Sequence, residues 1–225
     1  MIGRFALACL DMAGTTVRDD GAVEAAFTAA LATGGVAPGS PEYEKAQVVV
    51  RDTMGWSKAD VFAALLEPAA AERATEQFAA AYEAIVAAGD VAEVPGARDV
   101  LRSLRERGVK VCLTTGFAPS TRDALVDALG WRAEIDLALS PADVGRGRPA
   151  PDMVLGAMQR LGVGDPGSVA VVGDTVSDLE AGAAAGAGAV VGVLSGAHDE
   201  ATLSAAPHTA IIADVTGLLA VLEHG

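Results

Sequence analysis

The chain has 225 residues, with 16 Lys and Arg against 30 Asp and Glu, and its formal net charge is −14. This charge repels polyanions, so we expect neither nucleic acid nor an anionic membrane as a partner. The length suffices for one sizeable α/β domain with a small inserted one. Hydrophobic residues make up 51% and aromatic residues 4%, so Ala and Val are expected to build much of the core.

No apolar run reaches the roughly 18 residues that a membrane span requires, and the N-terminus does not resemble a signal peptide. These observations favour a cytoplasmic protein. Cys9 and Cys112 lie in apolar, strand-like runs without metal-ligand spacing, and we expect them to be inert buried thiols. His198, His208 and His224 lie near the C-terminus, away from any motif, and are expected at the surface.

Short apolar runs alternate with helical segments, which is the pattern of a parallel sheet built from βα units. The predicted strands are 5–10, 109–114, 135–139, 168–173, 189–194 and 210–213. The helices predicted between them are 96–107, 119–129, 151–161 and 176–185. The fold class predicted from this pattern is therefore α/β.

The interval 17–90 departs from this alternation of strands and helices, because its sequence predicts almost only helix. Apolar residues recur in it at helical spacing, as in Val61-Phe62 with Leu65-Leu66 and in Phe78 with Tyr82. We predict two units: an α/β core formed by 1–16 and 91–225, and a helical insertion at 17–90. An insertion of this kind can close over the strand ends and exclude water.

Reactive groups follow the predicted strands. Asp11 ends the first apolar run, and Ala13 and a Gly-Thr turn come next. Asp174 ends a later strand, and Asp178 lies four residues on, on the same face of the helix that begins there. A carboxylate at the strand ends can attack phosphorus or hold Mg²⁺, and the three acids together form an oxygen-rich site that suits Mg²⁺.

Two further turns supply groups for an anionic substrate. Thr114-Thr115-Gly116 ends the second core strand with hydroxyls and free amides. Arg148 precedes a helix, and its planar donors match phosphoryl oxygens. Arg146 is expected to be solvated.

The segment Asp11-Met-Ala13-Gly-Thr15 resembles motif I of the haloacid dehalogenase-like superfamily. Ala13 replaces the second acid of that motif, as in the phosphonoacetaldehyde hydrolase (phosphonatase) branch. Thr114-Thr115-Gly116 is similar to motif II, Gly147-Arg148-Pro149 to motif III, and Gly173 to Asp178 to motif IV. The resemblance implies a Rossmann-like parallel sheet core with an inserted α-helical cap domain between strand 1 and strand 2.

The segment Met54-Gly55-Trp56-Ser57-Lys58 resembles the cap signature of the same branch, whose lysine forms an imine with the substrate aldehyde. Such an imine accepts the electrons released when a C–P bond breaks, and phosphate esters need no such acceptor. The chain differs from this branch at two positions: Val61 stands where the branch has a histidine, and Phe117 where it has a tyrosine.

The resemblance implies a Mg²⁺-dependent hydrolase of phosphonoacetaldehyde or a closely related phosphonoaldehyde. The catalytic residues it implies are Asp11, Lys58, Thr114 and Arg148. The implied substrate-binding residues are Thr114, Thr115, Gly116, Arg148 and Lys58. The implied metal ligands are Asp11, the Ala13 carbonyl, Asp174 and Asp178.

Two alternatives stay open. A phosphomonoester phosphatase, for example of phosphoglycolate, fits the same fold, although Ala13 leaves no acid to protonate a leaving alcohol. A non-catalytic module that binds a phosphate or a partner would retain the fold alone. A homodimer is also open, since helical cap surfaces can pair or stay solvated.

Overall fold

The apolar runs of the sequence form a six-stranded parallel sheet in the computed structural model, which describes residues 3–224. The strands are β1 (Leu7–Asp11), β2 (Lys110–Thr114), β3 (Leu137–Leu139), β4 (Val169–Gly173), β5 (Ala189–Val193) and β6 (Ala210–Ile212). Their order across the sheet is β3-β2-β1-β4-β5-β6. Every residue of β1, β4 and β5 is buried, as expected for central strands covered by helices on both faces. The predicted α/β fold is confirmed.

The predicted insertion between β1 and β2 contains four helices of the described chain. They are α1 (Ala22–Thr33), α2 (Pro41–Asp52), α3 (Lys58–Leu65) and α4 (Pro68–Ala88). Ser40 and Ser57 cap α2 and α3 by accepting backbone amide hydrogen bonds, and Pro68 stands in the first turn of α4, where its missing N–H costs nothing. The helical spacing of Phe78 and Tyr82 places both in the buried stripe of α4.

The remaining helices cover the two faces of the sheet. They are α5 (Ala97–Glu106), α6 (Pro119–Ala128), α7 (Asp152–Leu161), α8 (Val176–Ala184), α9 (Glu200–Ser204) and α10 (Leu218–His224). Helices α5, α6 and α10 pack on the face that carries Ala8 and Leu10, whereas α7 packs on the face that carries Leu7 and Cys9. The predicted bounds of α5 to α8 are correct to within one residue at each end.

The chain leaves and re-enters the sheet layer at one place. The Arg18 N–H donates to the Ala92 carbonyl at 2.9 Å, and the Val94 N–H donates to the Thr16 carbonyl at 2.9 Å. These paired crossings support the predicted boundaries, and we propose 17–90 as the cap unit. The predicted core segments also include Met1, Ile2 and Gly225, which lie outside the described residues.

Strand register determines which side chains meet at the edge of the sheet. Asp11 is the last residue of β1, one position beyond the predicted strand, and it pairs with Thr114 of β2. Leu10 pairs with Val172 on the other side, so Asp174 directly follows the end of β4. The carboxyl ends of three neighbouring strands therefore bring the predicted groups together. None of the described helices combines the length and apolar character needed to span a membrane.

Candidate active site

The turn after β1 is shaped by its backbone. The Met12 carbonyl accepts hydrogen bonds from the amides of Thr16 at 2.9 Å and Val17 at 2.7 Å. Gly14 has a φ of +85°, and a Cβ at this position would lie 2.4 Å from Asp174 Oδ2. Only glycine fits both the left-handed backbone and the close carboxylate. The turn thereby holds Asp174 against the end of β1.

Asp11, Asp174 and Asp178 form one buried acidic cluster. A carboxylate oxygen from each lies within 4.8 Å of the others, and none of the three residues is more than 5% exposed. Asp174 accepts hydrogen bonds from the Thr15 hydroxyl at 3.1 Å and the Ala197 amide at 2.7 Å. These bonds fix the direction of the carboxylate.

Arg148 lies between two of these acids. Its Nη1 donates to Asp11 Oδ1 at 2.6 Å and also to Asp178. Burial alone would lower the pKa of the guanidinium, but Asp11 and Asp178 raise it, so Arg148 stays charged. Its Nε is buried and has no hydrogen-bond partner among the described residues.

Asp178 has a structural task besides its contact with Arg148. Its side chain accepts from the Thr175 amide at 3.2 Å and contacts the Thr175 hydroxyl, while its own amide bonds back to that hydroxyl. This capping box begins α8. Asp178 is thus held rigidly behind Arg148.

Three carboxylates against one guanidinium leave the cluster with an excess of negative charge. Burial raises the pKa of Asp11 well above its usual value. Burial, together with the charge of Asp178, raises the pKa of Asp174 to about 6. A hard divalent cation would remove this penalty, and buried carboxylates beside the Ala13 turn are a donor set that Mg²⁺ accepts. The residues present therefore fit the expected metal.

A cavity of about 490 Å³ opens above the cluster, between sheet and cap. Asp11, Arg148 and Asp174 line its floor. Helices α1, α2 and α3 close it from above, with Phe27 and Lys58 among the residues that reach the cavity. A small ligand in this cavity contacts both units of the molecule.

Lys58 is the first residue of α3 and is only 8% exposed. Its Nζ lies 5.0 Å from the centre of the Phe27 ring and 5.5 Å from those of Phe78 and Phe117. Burial, together with the positive charge of Arg148, lowers the pKa of Lys58 from 10.5 to about 8. The amine is therefore far more often neutral than that of a solvated lysine.

The cap segment before α3 contacts the turns that follow the strands of the core. The Lys58 N–H donates to the Gly116 carbonyl at 3.1 Å, and the Ser177 hydroxyl donates to the Met54 carbonyl at 3.0 Å. A Cβ on Gly116 would lie 2.3 Å from the Trp56 carbonyl oxygen. The cap is closed over the cavity in this structure.

Most of the predicted site residues line this one cavity: Asp11, Ala13, Lys58, Thr115, Gly116, Arg148 and Asp174. Asp178 lies behind Arg148 instead. Thr114 is also outside the cavity lining, because its hydroxyl is directed to the Leu10 carbonyl at 3.5 Å. The Thr115 hydroxyl accepts from the Phe117 amide at 3.2 Å, so its proton is free to be donated. The phosphate contact of Thr114 stays a prediction, and we propose the Thr115 hydroxyl as a second candidate for it.

Sequence reasoning missed several groups at the site. Thr15 and Ala197 orient Asp174, and the loop 195–197 after β5 lines the cavity. The rule that ligands meet parallel strands at their carboxyl ends could have found this loop. His198, predicted at the surface, is half-buried, and its Nδ1 accepts from the Val176 amide at the start of α8, a contact that the sequence did not indicate.

The predicted burial of the two cysteines and the predicted exposure of three further side chains are confirmed. Cys9 and Cys112 are buried free thiols, and burial raises the pKa of Cys112. His208 and His224 are exposed. Arg146 is also exposed and pairs with Asp152.

The chain is similar to proteins of known sequence and structure. It is 32% identical over 133 residues to phosphonoacetaldehyde hydrolase from Bacteroides fragilis, covering 58% of this chain and 49% of that protein. It therefore spans about half the length of this curated relative.

Solved structures match over nearly the whole chain. A hydrolase from Pseudomonas syringae has a TM-score of 0.83 at 26% identity, with 97% of this chain and 98% of that chain covered. A phosphonoacetaldehyde hydrolase-like protein from Oleispira antarctica has a TM-score of 0.82 at 24% identity, with 99% and 93% covered. The latter likeness supports the fold alone.

The family model of haloacid dehalogenase-like hydrolases matches residues 5–186. This span contains β1, the cap helices and the whole acidic cluster. The chain belongs to the haloacid dehalogenase-like hydrolases.

Proposed function

We propose that this hydrolase cleaves the C–P bond of phosphonoacetaldehyde or a closely related phosphonoaldehyde. The observation that carries the proposal is the placement of Lys58. Its buried amine, with a lowered pKa, lines the same cavity as Asp11. Position 13, beside Asp11, offers only the methyl group of an alanine. The cavity thus combines a nucleophile for phosphorus with an amine for a carbonyl group, and it lacks an acid at position 13 for an ester leaving group.

The reaction begins at Lys58. Its neutral amine adds to the carbonyl carbon, and uptake of one proton from solvent with loss of water gives a protonated imine. A carboxylate oxygen of Asp11 then attacks phosphorus. The electron pair of the C–P bond forms the C=C bond of an enamine. The π electron pair of the C=N bond moves onto the nitrogen, which becomes neutral. Phosphorus is left on Asp11 as an acyl phosphate.

Two hydrolytic steps complete the turnover. The enamine takes a proton at carbon to become an imine again, and water releases the aldehyde and the free Lys58 amine. A second water cleaves the acyl phosphate and restores Asp11.

The phosphoryl oxygens would be held by three groups of the cavity floor. These are the Arg148 guanidinium, whose Nε has no partner in the described part of the chain, the Thr115 hydroxyl and the backbone at Gly116. Asp11, the Ala13 carbonyl and Asp174 would hold Mg²⁺, with Asp178 behind them. When bound, Mg²⁺ supplies positive charge that offsets the repulsion between the phosphoryl group and the carboxylates.

The direct test is trapping with borohydride. Phosphonoacetaldehyde plus borohydride is expected to inactivate the protein and to add a reduced two-carbon adduct to the peptide that contains Lys58. Lys45, an exposed lysine of the cap, is the matched control. Lys45→Arg should retain trapping and phosphate release, and Lys58→Arg should lose both. Undiminished phosphate release by Lys58→Arg without any adduct would remove the imine mechanism.

The runner-up is a phosphomonoester phosphatase. One observation favours it: the three side chains over the Lys58 amine are phenylalanines, which cannot carry a proton. Turnover of phosphoglycolate at a rate equal to or above that of phosphonoacetaldehyde would favour this alternative. Absence of turnover for both compounds, with normal Mg²⁺ binding, would indicate a binding module.

A further inference from the structure

Most aromatic side chains of this chain gather at one place. The chain has five Phe, two Tyr and two Trp, and four of the Phe together with Tyr82 form a single cluster. Phe27 and Phe78 have ring centres 4.8 Å apart, and Phe117 lies 4.6 Å from Tyr82. Phe62 packs on Phe27 at 5.3 Å. In a chain with 4% aromatic residues, this concentration is a local feature that needs a reason.

Three of these rings surround the amine of Lys58. Phe27 comes from α1, Phe78 from α4, and Phe117 from the turn after β2. The rings are almost wholly buried, with exposures of 1% or 2%. Two walls of the enclosure therefore belong to the cap, and the third belongs to the core.

Such rings act on an amine in two opposite ways. Their faces attract a cation, which favours the protonated form. Their bulk excludes water, which favours the neutral form. The pKa of Lys58 falls to about 8, so the exclusion of water is the larger effect here.

Charged groups around the cavity also act on this amine. Arg148 opposes protonation, whereas Asp11, Asp19 and Asp174 favour it. Two further charged side chains line the cavity: Glu24 of α1 and Arg51 of α2. On α3 itself, Asp60 is bonded to the Ser57 hydroxyl. The amine takes part in no salt bridge within the described part of the chain. Acids thus outnumber bases near Lys58, and the low pKa depends on the apolar enclosure.

We propose that Phe27, Phe78 and Phe117 are positioning residues that keep the Lys58 amine dry and ready to attack a carbonyl, and that the enclosure is complete only when the cap is closed on Phe117. The role in imine formation rests on the proposed function, but the enclosure itself does not. Its consequence at neutral pH is large. At pH 7.5 an amine with a pKa of 8 is about one quarter neutral, against roughly 0.1% for an ordinary lysine.

The test is a titration of lysine side chains by NMR. The chain has only three lysines, at 45, 58 and 110, so protein labelled in its lysines gives three assignable side-chain signals. Wild type is expected to show a Lys58 midpoint about two pH units below that of an ordinary lysine. Substrate turnover is not needed for this measurement, so its result stands whether or not C–P cleavage is found.

Three variants separate the possible causes. Phe117→Ala lets water into the enclosure and is expected to raise the Lys58 midpoint by about one unit or more. Phe117→Leu keeps an apolar wall and should leave the Lys58 midpoint within about half a pH unit of the wild-type value. Phe62→Leu is the matched control, because Phe62 is a buried member of the cluster outside the three rings over the amine.

A separate variant tests whether the enclosure of Lys58 depends on closure of the cap. Gly116→Ala alters no ring but sets a methyl group against the Trp56 carbonyl, which forces the cap away from the core. Its Lys58 midpoint should rise toward that of an ordinary lysine. Thermal melting establishes that each variant is folded, and Phe117→Ser replaces Phe117→Ala if the latter is not. An unchanged midpoint in folded Phe117→Ala or Phe117→Ser would overturn the enclosure, and an unchanged midpoint in Gly116→Ala would overturn its dependence on the cap.

Discussion

Ala13 is the single residue whose side chain most directly selects between the two reactions that the cavity could perform. It lines the cavity beside Asp11 and contributes only a methyl group. Loss of an alkoxide from a phosphate ester is slow unless an acid protonates it, whereas an enamine leaving group needs no such acid. The residue type at position 13 therefore bears on whether the leaving group of the substrate needs a proton from the protein.

We expect Ala13→Asp to raise the rate of phosphate release from phosphoglycolate by about 10-fold or more, because the new carboxyl group can protonate the leaving oxygen. The measurement is steady-state phosphate release at saturating Mg²⁺. Ala205→Asp, at an exposed position outside the cavity lining, adds the same charge and should leave the rate unchanged. Loss of all activity in Ala13→Asp, with wild type already active on the ester, would contradict the role assigned to position 13.

Arg148 is a second residue whose shape matters as well as its charge. Its guanidinium bridges Asp11 and Asp178, and its Nε has no partner within residues 3–224. A lysine ammonium is a point charge and cannot contact both carboxylates while also presenting a third donor to the substrate. We expect Arg148→Lys to lower kcat/KM for phosphate release by about 100-fold or more.

The neighbouring arginine provides the control for this prediction. Arg146 stands two residues away, and its side chain is 73% exposed in a surface ion pair with Asp152. Arg146→Lys should stay within about twofold of wild type, since exposed pairs contribute little. Equal losses in the two variants would indicate a requirement for charge in the loop alone.

At the scale of secondary structure elements, α3 matters because it begins at Lys58. The Ser57 hydroxyl accepts from the Asp60 amide at 3.1 Å and donates to the Asp60 carboxylate at 2.6 Å. This cap fixes the first turn, and with it the direction of the Lys58 side chain. A weakened cap should therefore affect the amine as well as the stability of the helix.

Ser57→Ala is expected to lower the free energy of unfolding by about 1 kcal/mol and to slow borohydride trapping several-fold. Ser40→Ala removes the equivalent cap of α2, where the hydroxyl accepts from the Tyr43 amide at 3.1 Å. It should cost similar stability without affecting trapping. Chemical denaturation and trapping rates measure the two effects separately, and equal trapping in both variants would show that the start of α3 does not position Lys58.

At the scale of the whole molecule, we expect the buried acids to couple metal binding to stability. In the metal-free protein the pKa of Asp174 is about 6, against an ordinary value of 3.8. A raised pKa means that the folded state holds the proton more tightly than the unfolded state does. The stabilisation from this group is therefore complete below pH 3.8 and is lost as pH rises through 6.

Mg²⁺ must displace this proton, so its stabilising effect has the opposite pH dependence. We expect Mg²⁺ to raise the Tm of chelator-treated protein clearly at pH 7.5 and much less at pH 5. Asp174→Asn should reduce the difference between the two pH values, because this side chain can no longer ionise, while Asp11 still can. Thermal melts with and without Mg²⁺ provide the measurement. An equal shift of Tm at both pH values in wild type would place the metal elsewhere.

Much of the architecture could be predicted from local patterns. The strand that ends at Asp11 and the helix that starts after Asp174 were recognisable from apolar runs and capping residues. Parallel strands present their carboxyl ends at one edge, so Asp11 and Asp174 could be expected to meet without knowledge of distances. The boundaries of the elements differ from the prediction by one or two residues, because helix and strand ends depend on neighbouring contacts.

The choice between adjacent side chains could not be predicted. Thr114 and Thr115 are the same residue type, but the Thr114 hydroxyl lies 3.5 Å from the Leu10 carbonyl, whereas Thr115 lines the cavity. His198 looked like a surface residue because nothing near it in the chain is reactive. The loop after β5 carries it to the start of α8, a neighbour 22 positions away.

The sequence by itself determined the order of the elements, the acids at the strand ends and the absence of an acid at position 13, because each depends on residues close together in the chain. Only the tertiary structure decided the balance between the neutral and the protonated form of the Lys58 amine. Its surroundings come from Phe27, Phe78 and Phe117, which are far apart in the chain and meet through packing. Whether an amine is neutral depends on the water it loses, and that is a property of the folded enclosure.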